Sequence, residues 1–223
     1  MNRDGSSRSM GCCSGSVVTI GGAPGWLQND ISASSVPNIP FRSDCARGYA
    51  EDRMKILLLM RHGKSDWNAA FGHDHERPLA RRGVEAAKMM GRFLSDAGEI
   101  PDAIITSSAV RADQTVRLAS DAGAWGVSLR VTDHFYNTRS EAVLREVRDE
   151  PEDTTKLMIV GHEPTWSLLL SSLVGGGHHP LPTAAVARVD LPADTWADLE
   201  LRTGQLRWLV TPRLLGKVIT NGS

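Results

Sequence analysis

Residues 54–68 read MKILLLMRHGKSDWN, and this stretch decides the fold. Ile56 to Met60, behind Lys55, form a short continuous apolar run, the pattern of a strand buried on both faces. Arg61, His62 and Gly63 stand directly at its end. A strand that ends in such a loop sets a permanent cation beside a neutral nucleophile, in the place where open α/β sheets bind their ligands.

Outward from that strand, the chain alternates strand and helix. Ala80 to Ala97 carries Val84, Ala87, Met90 and Leu94 at near-helical spacing, with Gly98 as a stop. Ala103 to Thr106 reads as a second buried strand, followed by a helix through Arg111, Thr115 and Leu118. Val127 to Val131 is a third strand, Ser140 to Arg148 a helix, and Lys156 to Val160 a fourth strand ending at Gly161 and His162. Thr165 to Val174 is helical and closes at Gly175, Gly176 and Gly177. Ala184 to Leu191 alternates, and Gln205 to Val210 supplies a last strand. This order predicts an α/β three-layer sandwich with a mainly parallel central sheet.

Composition narrows the class. In 223 residues, 41% are apolar, enough for one domain with a real core, and the formal net charge is −1. That charge gives no global basic field to gather nucleic acid or an acidic membrane. No run approaches the ~18 apolar residues of a membrane-spanning helix, so a cytoplasmic protein is expected. The three cysteines, Cys12, Cys13 and Cys45, all precede the first strand, which leaves neither a disulfide framework nor a thiolate metal site beyond it.

Residues 1–53 are rich in Ser and Gly, with Pro24, Pro37 and Pro40 and no sustained apolar period; they are expected to be a disordered tail or the product of a mis-set start. Acidic residues and the lack of an apolar core argue against a targeting peptide, and Gly15 breaks the acylation pattern that Met10-Gly-Cys-Cys suggests. The domain is drawn at 54–216, with 217–223 as a tail.

Three further motifs follow Arg61-His62-Gly63 in order: RPLARRG from Arg77 to Gly83, SSAVRADQT from Ser107 to Thr115, and GHEP from Gly161 to Pro164. As a set they resemble the histidine phosphatase superfamily, and within it the SixA-type phosphohistidine phosphatases. The resemblance implies a phosphoglycerate mutase-like fold and a phosphate pocket made by Arg61, His62, Arg111 and His162, with His62 as the phosphorylated residue.

The residue types suit that chemistry. A neutral imidazole can attack phosphorus and hold the phosphoryl group, splitting one hard displacement into two. Guanidinium forks match phosphoryl oxygens bidentately. His162 can donate to another oxygen and, if protonated, add charge. Asn68 can supply a neutral donor, and Arg77 could reach the substrate from the pocket rim. No metal or cofactor is required, because the arginines supply the positive charge. His73, Asp74 and His75 lack the further ligands of a metal site and read as a solvated loop near the pocket. His178 and His179 read as exposed loop, and Trp67 as packing at the sheet end.

A general acid is harder to place. Larger relatives carry a carboxylate after the third strand, and no residue between Asp133 and Glu141 matches that motif. Glu141 and Asp66 are the candidates. A pocket without an acid suits a phosphoramidate, because imidazole leaves far more readily than an alkoxide. The expected function is therefore cofactor-independent removal of phosphate from phosphohistidine in a protein partner. A phosphomonoesterase or mutase-like enzyme on a small metabolite, and a non-catalytic phosphoprotein-binding domain, are the alternatives.

Overall fold

The computed structural model describes residues 54–221, and the expectations for residues 1–53 lie outside the described residues. Six strands form one sheet: β1 (Lys55–Arg61), β2 (Ala103–Ser107), β3 (Ser128–Thr132), β4 (Lys156–Gly161), β5 (Val186–Leu191) and β6 (Gln205–Val210), in the order β3-β2-β4-β1-β5-β6. β1, β4, β2 and β3 are mutually parallel, while β5 runs antiparallel to both β1 and β6. Five helices connect or follow them: α1 (Arg81–Asp96), α2 (Val110–Gly123), α3 (Ser140–Arg148), α4 (Thr165–Leu173) and α5 (Pro212–Asn221).

Side-chain alternation along β1 divides the core in two. Leu57 and Leu59 join Ile105, Ile159, Val143 and Trp166 beneath α3 and α4. Leu58 and Met60 join Met90, Leu94, Val116 and Val160 beneath α1 and α2. Helices therefore cover both faces, the three-layer α/β sandwich that the strand–helix alternation predicts.

The topology fixes where ligands go. β1 and β4 are hydrogen-bonded neighbours, yet the chain leaves β1 toward β2 on one side and leaves β4 toward β5 on the other. Connections that depart in opposite directions open a crevice at the carboxyl ends of the two strands. Arg61 ends β1 and His162 follows β4, so both stand at that crevice.

Helix α5 is absent from the sequence reading and runs through residue 216, where the domain boundary was drawn. Its signal was present in Thr211-Pro212. Thr211 Oγ1 accepts from the Leu214 N–H at 3.2 Å, and proline occupies the first helical position. Leu215 then packs onto the α1 side of the core.

Candidate active site

The histidine of the β1 loop is held by backbone on two sides. His62 N–H donates to Gly161 O at 3.0 Å, and its carbonyl accepts from Ala184 N–H at 3.1 Å. Gly63 N–H donates to Thr115 Oγ1 at 2.9 Å, and the same hydroxyl donates to Arg111 O at 2.6 Å. One threonine on α2 thus links the loop of His62 to the turn that carries Arg111. The loop also meets the start of α1 at backbone distance: a Cβ on Gly83 would lie 2.2 Å from Lys64 O, so only glycine fits there.

His62 is 8% exposed, and its Nδ1–H donates to Gly63 O at 2.7 Å, which leaves the Nε2 lone pair free. Its pKa is lowered to about 4: burial is the main cause, with the charges of Arg111, Arg61 and Arg77 adding to it against the Gly63 bond. The ring is a neutral base at neutral pH. His162 lies 5.0 Å away, ring centroid to ring centroid, and burial, His62 and Arg111 lower its pKa to about 3. In the free protein His162 is therefore neutral, and a cationic donor role there is disfavoured. Its Nε2 shares a 2.9 Å hydrogen bond with Ser107 Oγ, which also accepts from Ala109 N–H at 3.3 Å.

Three polar atoms in this cluster, Arg61 Nε, Arg111 Nε and His162 Nδ1, are buried without a partner among the described residues. Buried donors are normally satisfied, and a phosphoryl group with several strong acceptor oxygens would satisfy these.

Arg77 and Arg111 meet at Asp74, which sits in a short 3₁₀ turn (Asp74–Glu76). Arg77 Nε and Nη2 donate to Asp74 Oδ1 at 3.0 and 2.8 Å, and Arg77 Nη1 also donates to Ser65 Oγ. Arg111 Nη2 donates to Asp74 Oδ2 at 3.0 Å and Nη1 to Asp74 O at 2.7 Å, while Tyr136 OH donates to Oδ2 at 3.2 Å. Burial works against the Asp74 carboxylate, but the bonds from Arg77 and the charge of Arg111 outweigh it and hold its pKa below the usual range. His75 shares a 2.8 Å hydrogen bond with Ser108 Oγ and meets the edge of Tyr136.

The structure thus gathers Arg61, His62, Arg77, Arg111 and His162. Asn68 is exposed on the same loop, its N–H donating to Asp66 Oδ1 at 2.9 Å, so Asp66 serves a local turn. Glu141 is exposed and lines a cavity of about 470 Å³ with Thr138, Arg139 and His162. Trp67 does not pack at the sheet end. Its exposed ring lies 3.7 Å from the Arg77 guanidinium, a cation–π stack.

The 73–75 segment is exposed at His73 and Asp74, as its polarity suggests, and Asp74 and His75 are in addition tied into the cluster. No group of three or more histidine, cysteine or acidic side chains able to hold a metal occurs among the described residues. Likewise, no described helix is long and apolar enough to cross a membrane.

Comparison with known proteins places this geometry. The sequence signature of the histidine phosphatase superfamily (branch 1) matches residues 57–137. An uncharacterised protein of Mycobacterium leprae is 30% identical over 166 residues, covering 69% of this chain and 100% of that protein. A 68-residue stretch, 30% of this chain, is 41% identical to 27% of a 2,3-bisphosphoglycerate-dependent phosphoglycerate mutase of Leifsonia xyli. Among solved structures, a candidate phosphohistidine phosphatase SixA from Nakamurella multipartitia superimposes with a TM-score of 0.61 at 26% identity, over 71% of this chain and 96% of that one.

Proposed function

The chain belongs to the histidine phosphatase superfamily, a phosphatase fold working through a phosphohistidine intermediate, and we propose that its substrate is phosphohistidine in a protein, with His62 as the phosphate carrier. In this reading Nε2 of neutral His62 attacks phosphorus in line with the departing group. The P–N bond of the substrate breaks, and its electron pair stays on the leaving nitrogen. Water then attacks the phosphorus of phospho-His62, releasing inorganic phosphate and neutral imidazole. Arg61 and Arg111 hold the transferring oxygens, and His162 Nδ1–H donates to another. Arg77 holds the rim.

The observation that carries the choice of substrate is the state of Asp74. It is the carboxylate bound to the arginine cluster, and two guanidiniums keep it ionised. An ionised carboxylate has no proton to give a departing alkoxide, so an ester would leave slowly. An imidazole that carries a proton on its far nitrogen leaves as a neutral ring and needs no acid from the enzyme. The SixA-type relative is named for the same substrate class.

A phosphomonoesterase reading draws on Glu141, which shares a cavity with His162, and on the mutase-like stretch. The test is rapid chemical quench with a ³²P-labelled phosphohistidine peptide. An acid-labile, base-stable phosphoenzyme is expected in the wild type and none in His62→Ala. Label retained by His62→Ala would place the nucleophile elsewhere. Faster turnover of sugar phosphates than of the peptide, abolished by Glu141→Gln, would favour the esterase.

A further inference from the structure

Asp74 does more than neutralise two arginines. The guanidiniums it binds are 6–7% exposed, whereas its own side chain is 45% exposed. Asp74 therefore stands on the solvent side of the cluster, above a nucleophile that is itself buried. A phosphoryl group seated at His62 must project its leaving group outward, past this rim. The rim is built rather than floppy: His75 is anchored to Ser108, Tyr136 bonds to Asp74 Oδ2, and the Tyr136 ring lies edge-on to His162 at 5.8 Å.

The charges of the cluster also set a limit. Arg61, Arg77 and Arg111 are cations and both histidines are neutral, so the carboxylates of Asp74 and of Glu163, whose charge acts on Arg61, leave an excess of one positive charge. A phosphoryl dianion already uses up that excess. A substrate carrying an additional carboxylate exceeds it and brings like charge toward Asp74. Arg111 can serve both roles, because a guanidinium has five N–H donors, and Asp74 takes only two of them while Nε–H stays unpartnered.

We propose that Asp74 is a specificity-determining residue whose carboxylate accepts a hydrogen bond from the far ring N–H of a phosphorylated imidazolium and repels phosphate monoesters that carry a second anion. The proposal rests on phosphoryl transfer to His62 as described above. In the proposed step, the substrate imidazole bears phosphate on one nitrogen and a proton on the other, the latter held by Asp74. His62 Nε2 forms the new N–P bond, the old P–N pair returns to the substrate ring, and neutral imidazole departs with its proton still on the far nitrogen. No proton is drawn from the enzyme. Asp74 thus keeps the substrate in its reactive cationic form, which takes over the task of the missing acid.

The experiment compares wild type, Asp74→Asn and Asp74→Glu on a phosphohistidine peptide and on 3-phosphoglycerate, with quench labelling of His62 alongside. Loss of one charge-assisted hydrogen bond predicts that Asp74→Asn lowers the ratio of kcat/KM, peptide over phosphoglycerate, by roughly 10- to 100-fold, with Asp74→Glu recovering part of it. On the peptide, the alkaline limb of kcat, which reports the bound complex, should move down in Asp74→Asn, toward the substrate ring's own pKa. Equal losses on both substrates, or an unmoved alkaline limb, with His62 still labelled, would overturn this proposal and leave the nucleophile standing. An unlabelled wild type would overturn the reading beneath it, and this proposal with it.

Discussion

His62 is useful as a nucleophile only if it is unprotonated when substrate arrives, and the environment arranges this without a neighbouring base. Burial and three guanidiniums penalise the imidazolium, while the Gly63 carbonyl selects the tautomer with a free Nε2. The sign follows directly. With its pKa lowered to about 4, the ring is neutral at all higher pH and loses its lone pair only as pH falls through that value. An ¹⁵N NMR titration of the free protein should show the His62 and His162 rings unmoved from pH 8 to pH 5; movement of either near pH 6.5 would contradict it. The same shifts bear on stability. An unfolded imidazole titrates near about 6.5, so the contribution is complete above that pH and is lost progressively below it, as the unfolded chain takes up protons that the native rings refuse. Which residues meet around His62 was only partly legible in the chain. Arg61, Arg111 and His162 sit in motifs or at strand ends, where local pattern points to them. Asp74, Tyr136, Ser107 and Thr115 act through contacts that cross 37 to 62 residues of chain, and no local period encodes those.

Among the elements, the junction between the β1 loop and α1 is the most constrained. Gly83 sits in the first turn of α1, and its backbone lies against Lys64, two residues from His62. A methyl group there would stand 2.2 Å from a carbonyl oxygen, which is backbone and cannot rotate away. Gly83→Ala should therefore cost about 1–3 kcal/mol in urea unfolding, as overpacking does, and should lower kcat through displacement of the loop. Unchanged stability and turnover would show that the loop yields without consequence. The elements themselves were largely legible, because apolar runs of strand length alternate with helical spacing from Lys55 to Leu173. Helix α5 was not, although its Thr-Pro start is a local signal. Leu215 and Phe93, far apart in the chain, both pack against the same side of the core.

At the scale of the whole molecule, the buried cluster of the candidate site is drawn from residues between Arg61 and His162. β1 opens at Lys55 in the interior of the sheet, between β4 and β5, so its pairing partners are supplied by later sequence. Lys55 itself is buried, its Nζ donating to Glu152 O and Thr154 O at 2.6 and 2.9 Å, which closes that end of the strand. The Mycobacterium leprae relative, matched along its entire length, needs only 69% of this chain to do so. A chain starting at Met54 should therefore fold, melt cooperatively and hydrolyse a phosphohistidine peptide with the kcat/KM of the full protein. Lys55→Met in that shorter chain would separate the two ends of the argument. It leaves the catalytic cluster untouched but strips Glu152 O and Thr154 O of a buried donor, at a cost of about 1–3 kcal/mol. An insoluble shorter chain, or one with altered kinetics on the peptide, would assign residues 1–53 a part in folding or in substrate access.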